Sequence, residues 1–135
     1  MNIASRLENL CKFYEVKIII SESTFRAAKS HYLCRFLDKV VMKGKSQMIS
    51  IYELVSKLEE ATESQKLLCN RQELALYNLF NLNDISRSLE ILSSLKRDYP
   101  QDKSIEILFN RVSNFSSENQ VPENFSLYQI FAEKA

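Results

Sequence analysis

The 135 residues predict an α+β chain in two parts, an α/β piece to about residue 55 followed by an α-helical piece. Three observations lead there. Apolar residues recur at spacings of three and four from the first positions onward and again after residue 65, which is helical periodicity. Two β-rich runs, KIIIS and MISIYELV, stand in the first part only. The chain has one glycine, Gly44. Few turns with positive φ are expected of such a chain, which favours helices and one important turn.

In order, the first element is a helix over about residues 2–14, with Ile3, Leu7, Leu10, Phe13 and Tyr14 on one face. KIIIS (17–21) reads as a short buried strand. Ser21 or Ser23 offers an N-cap for the helix ESTFRAAKS, which ends near Ser30. YLCRFLDKVVM (32–42) is extended, with a break near Asp38, and the Lys43-Gly44-Lys45-Ser46 turn leads into a strand over 48–55. These two runs are expected to form an antiparallel hairpin. SKLEEATESQKL reads as a charged connecting helix or the approach to one. A helix over about 65–82 carries Leu68, Leu76, Leu79 and Phe80 at helical spacing. Asn83-Asp84 is a turn, and Asp84 caps a second helix that Pro100 closes. A third helix starts after Asp102 or Ser104 and carries Ile105, Leu108, Phe109 and Val112. Phe125, Tyr128, Ile130 and Phe131, near the end, are expected to dock back on the body. The domain reading is therefore 1–55 and 56–135.

Composition narrows the function. Hydrophobic residues make up 45% and charged residues 26%, as in soluble globular proteins. No apolar run approaches the roughly 20 residues that span a bilayer. Cys11, Cys34 and Cys69 lack metal-ligand spacing and read as free buried thiols. With no export signal in view, they point to the cytoplasm. Net charge is +1, so nothing global favours nucleic acid or membrane. Residues 1–55 hold nine Lys/Arg against five Asp/Glu, and residues 56–135 nine against twelve. A mildly basic front suits an anionic ligand. His31 is the only histidine, and the serine-rich stretches have no partner base for nucleophilic chemistry.

Taken alone, Asn2 reads as a helix cap, Arg6 as a solvated side chain and Lys43-Gly44-Lys45 as a hairpin tip. The order of motifs says more. NIASRLENLCKFYEVKIIISEST followed by RFLDKVVMKGKSQMISIYELV resembles, over residues 2–55, the C-terminal half of a class III adenylate/guanylate cyclase catalytic domain. The resemblance implies part of that family's ferredoxin-like sheet. It implies conversion of a purine nucleoside triphosphate to a 3′,5′-cyclic nucleotide and pyrophosphate. By the same resemblance Asn2 falls on the asparagine that orients the ribose and Arg6 on the arginine that stabilises the transition state. Lys43 falls on the lysine that reaches the terminal phosphate. Asn2 and Arg6 are four apart, so one helix can turn both toward one ligand, and a guanidinium is suited to phosphate oxygens.

Met1 stands where the family has the valine of its Val-Asn pair. The family's first strands, two metal-binding aspartates and purine-selecting positions would lie ahead of it. The resemblance therefore implies that this segment alone binds no metal and does not catalyse, while the complete domain uses Mg or Mn. Active sites in the family form between two catalytic domains, so the expected partners are ATP or GTP and a cyclase subunit in a homo- or heterodimer. The alternative is a non-catalytic interaction module that pairs with a full cyclase subunit. The choice between ATP and GTP stays open.

The helical part has a second likeness. RDYPQDKSIEILFNRVSNF is similar to the tetratricopeptide-like extension that follows the catalytic domain in some bacterial cyclases. Of the small residues expected in such a helix pair, Ser88 is the best match. A single repeat cannot form a solenoid or a peptide groove alone, so the expected role is structural. The resemblance implies the cytoplasmic end of a membrane-anchored parent.

Overall fold

The last strand of the first unit lies at the centre of its sheet. The computed structural model describes residues 3–41 and 48–116. They fall into two units that part between Ala61 and Thr62. The Lys43–Ser46 turn and the aromatic residues near the end lie outside the described residues. The fold is α+β, as the periodicities predict.

In the first unit, α1 (Ile3–Tyr14), β1 (Ile19–Ser21), α2 (Glu22–Ala28), β2 (Tyr32–Val41) and β3 (Met48–Lys57) follow in sequence. The strand order is β1-β3-β2, with both neighbours antiparallel to β3. β2 and β3 pair from Tyr32↔Lys57 to Val41↔Met48. Two irregularities interrupt that ladder. Val55 is skipped on β3 between the Leu33 and Cys34 pairings, and Leu37 is skipped on β2 between Phe36 and Asp38. The second is the break expected near Asp38: an extra residue, bulged out of register and fully buried.

The two faces of the sheet are covered differently. Tyr52, paired with Ile20 and Phe36, lies on one face. Phe25 of α2 stacks on its ring at 3.9 Å between centroids. Ile51 lies on the other face, because successive strand residues alternate, together with its cross-strand partner Asp38. Leu10 and Tyr14 of α1 are fully buried, and the Tyr14 hydroxyl reaches Asp38.

Local signals set the helix ends. Ser21 rather than Ser23 caps α2, its hydroxyl accepting from the Thr24 amide. At the end of α1, Glu15 takes φ 56°, and the Val16 amide donates back to the Cys11 carbonyl at 3.1 Å. This is a Schellman-type stop that usually employs glycine. The other non-glycine residue at positive φ among those described is Asn83, a type that tolerates this region. A scarcity of glycine thus did not prevent such turns. Glu15→Gly should stabilise the first unit by about 0.5–1 kcal/mol, the relief of left-handed strain less the added entropy of the unfolded chain. Urea denaturation followed by circular dichroism reads this directly.

The end of β3 lies beyond the sequence expectation. The strand runs on to Lys57, and a single 3-10 turn, Leu58–Glu60, leads to a helix that starts at Glu63, so the charged stretch is the approach to a helix, the second of the two expected alternatives. Lys57 still has a strand partner, Tyr32, and the Leu58 amide donates to the His31 carbonyl, so sheet pairing overrides the helical propensity of this stretch.

The second unit contains α3 (Glu63–Phe80), α4 (Ile85–Asp98) and α5 (Lys103–Ser116). Thr62 and Gln65 form a reciprocal capping box that starts α3. Asp84 caps α4 as expected, and Asp102, not Ser104, caps α5 through the Ile105 amide. α4 packs against both other helices, with Leu92 and Leu95 fully buried against a core that includes Leu76, Leu79, Ile105, Leu108 and Val112. Ser88 is fully buried, and its hydroxyl has no hydrogen-bond partner. Lys96 lies 4.5 Å over the Phe109 ring, linking α4 to α5.

Candidate functional site

Of the three residues singled out for phosphate chemistry, the structure describes the backbone of one. Arg6 lies on α1, eight positions ahead of Tyr14. Its side chain, Asn2 and Lys43 lie outside what the structure describes. Lys43 belongs to residues 42–47, which connect Val41 and Met48, the paired ends of β2 and β3.

What the structure does show is how α1 is fixed to the sheet. The Tyr14 hydroxyl donates to Asp38 Oδ2 at 3.0 Å, with both residues fully buried. The other carboxylate oxygen, Oδ1, accepts from the Lys39 amide at 2.7 Å. A hydrogen bond to a charged group contributes about 1.5–3 kcal/mol, and here it joins the last turn of α1 to the middle of β2. One bonded point near the C-terminal end of a rigid helix constrains where its N-terminal residues lie.

On the same sheet face, Arg35 and Glu53 are cross-strand partners. Arg35 is 4% exposed, and its Nε and Nη2 donate to Glu53 Oε1 at 2.8 and 2.7 Å. A buried guanidinium requires such a partner. Sequence reasoning did not single out these four residues for a role beyond packing. The signal was present: Arg35 and Asp38 interrupt the apolar run YLCRFLDKVV, and charged residues at strand positions inside such a run need a partner when buried.

The cysteines fit packing roles. Cys69 is buried, while Cys11 and Cys34 are half-buried, and all three are free thiols. Burial pushes the Cys11 thiol above its ordinary value, with Glu8 and Glu53 adding to the rise and backbone hydrogen bonds opposing it. Burial alone raises Cys34. Both remain thiols at neutral pH, the unreactive form. His31 is exposed and contributes its carbonyl to the turn after β3. Among the described residues no three His, Cys, Asp or Glu side chains group as metal ligands, and no helix is long and apolar enough to cross a membrane.

No family model matches the chain, and no solved structure matches it significantly. Two curated proteins do. A stretch of 58 residues, 41% of this chain, is 40% identical to "Adenylate cyclase, terminal-differentiation specific" of Dictyostelium discoideum. A stretch of 57 residues, 40% of this chain, is 44% identical to "Adenylate cyclase" of Anabaena cylindrica. The matches span 3% and 11% of those two proteins. Over some two-fifths of its length, then, the chain is similar to two proteins named adenylate cyclase.

Proposed function

We infer that the first unit is a segment of a class III adenylate cyclase catalytic domain. In the complete domain it would help convert ATP to 3′,5′-cyclic AMP and pyrophosphate. The observation that carries this is the 40–44% identity to two proteins named adenylate cyclase. The order helix, strand, helix, hairpin-like strand pair supports it, since the same order underlies the motifs quoted above.

In this reading Arg6 donates to the phosphate oxygens on which charge builds as the 3′-hydroxyl attacks. Asn2, one turn earlier, orients the ribose. Lys43 holds the terminal phosphate as pyrophosphate departs. The divalent ions of the family, Mg or Mn, supply activation of the hydroxyl and neutralisation of the phosphates. By the same resemblance, the residues that would hold them belong to the part of a complete domain that precedes this segment. The segment alone is inactive and works in a dimer of cyclase subunits in the cytoplasm. The second unit is a tetratricopeptide-like appendage, a reading supported by its close-packed α3–α4 pair with Ser88 buried on α4.

The test is a transplant. Residues 1–57 replace the matched stretch of the Anabaena cylindrica enzyme, and cyclic AMP production is measured. Activity within about tenfold of the parent is expected, a cost near 1.4 kcal/mol in the barrier. A folded, dimeric chimera without cyclic AMP production would overturn the reading.

A further inference from the structure

The second unit presents a surface that its own packing does not use. Along α3, Leu67, Leu74 and Tyr77 recur at spacings of seven and three, so they share a helix face. They are 54%, 47% and 48% exposed. This is a second apolar side on a helix whose first side, with Leu76 and Leu79, already forms the core.

Beside that stripe α3 and α4 enclose a groove of about 650 Å³. Leu74 and Ile91 line it with Ser93 and Ser94, and Arg71, Arg87 and Arg97 line it as well. Glu90 is the one acidic residue among the lining groups. The arginines are not equivalent. Arg71 is held by Asp98 at 2.9 Å and by the Ser94 hydroxyl, and its side chain is 23% exposed. Arg87 pairs with Glu90 one turn along its own helix, with both side chains at least 49% exposed. Arg97 meets Asp98 only at 3.9 Å and is 78% exposed. Exposed pairs of this kind contribute little, about 0–1 kcal/mol, so an incoming carboxylate competes for Arg87 and Arg97 at small cost.

Arg87 and Arg97 are ten residues apart on α4, about 15 Å along its axis. The groove therefore offers positive charge at two places along α4, with Ile91 between them in sequence and Leu74 contributed from α3. We propose that this α3–α4 groove is a docking site for an amphipathic helix of another protein, one that carries carboxylates about ten residues apart around an apolar stripe. Charge complementarity selects the acidic helix over a basic or neutral one. The apolar stripe of α3 supplies burial area continuous with the groove. A lone helical repeat leaves uncovered the face that a stacked neighbour would fill, and a partner helix takes that place.

The experiment uses the full chain and two fluorescent helical peptides of about 18 residues, long enough for five turns. One has leucines at positions i, i+3 and i+7 flanked by glutamates ten apart; the other has lysines in place of the glutamates. By fluorescence anisotropy the acidic peptide should bind at least about tenfold more tightly, a difference of 1.4 kcal/mol. Arg87→Glu combined with Arg97→Glu should reverse that order. Both positions are exposed, so folding is retained, and circular dichroism verifies it. Tyr77→Ala should weaken both peptides about tenfold, reporting the apolar stripe. Equal binding of the two peptides, or an order unchanged by the double reversal, overturns the proposal. So does a gain of tenfold or more in peptide affinity on changing Glu123 and Glu133 to lysine, which would mean the chain's own end occupies the groove.

Discussion

Arg6→Ala, introduced into an active cyclase domain that contains this segment, should lower kcat about 10³-fold while KM changes by no more than a few-fold. The reason lies in when the contact forms. A guanidinium directed at phosphate oxygens gains most as negative charge accumulates on them, so its loss raises the barrier more than it weakens ground-state binding. Comparable arginines in phosphoryl transfer contribute about 10³–10⁵ in rate. Arg6→Lys should recover only a small part, because an ammonium is a point donor and cannot bridge two oxygens. The backbone of Arg6 lies within α1, whose buried residues Leu10 and Tyr14 are four and eight positions further on. Steady-state kinetics with ATP, beside a thermal melt showing an unchanged midpoint, make the measurement. An unchanged kcat would show that Arg6 has no part in the reaction.

The largest stability effect is expected at Glu53. Glu53→Ala should destabilise the first unit by about 3–5 kcal/mol, since it removes the carboxylate oxygen that accepts from two nitrogens of the buried Arg35 guanidinium. That is a large share of the stability of a small unit. The effect belongs to removing a carboxylate from a buried guanidinium and not to the pair as such. Arg35→Met with Glu53→Leu, which removes both charges, should cost much less than Glu53→Ala alone. Urea denaturation of the three proteins distinguishes the cases. If the double substitution is as damaging as the single one, the two charges support the sheet through something other than each other.

Much of the fold is written in short-range signals. Ser21, Asp84 and Asp102 cap helices within one turn of where periodicity begins, and the break near Asp38 proved to be the Leu37 bulge. The features that escaped are non-local. Arg35 finds Glu53 eighteen residues away, and Tyr14 finds Asp38 across twenty-four. Two bulges change which residues share a face, so simple alternation cannot forecast either pairing. The extension of β3 to Lys57 has the same origin, because its last residue is strand only by virtue of Tyr32 opposite it. The proposal that Asn2, Arg6 and Lys43 meet the nucleotide rests on motif order alone, since no sequence periodicity marks them. The basic groove of the second unit combines arginines from two helices, a juxtaposition that only the helix pairing creates.

The position of β3 has a consequence for how the protein is made. Both outer strands hydrogen-bond to β3 and not to each other, yet β3 is the last of the three to be synthesised. At about 5–20 residues per second, the ribosome needs roughly 2–7 s between finishing β1 and finishing β3. Until β3 emerges, β1 and β2 lack the strand that both of them pair with, and the apolar runs KIIIS and YLCRFLDKVV wait for it. Slowing translation before Met48 would prolong that wait, whereas a pause placed after Lys57 has left the ribosome would find the central strand available to both of its neighbours.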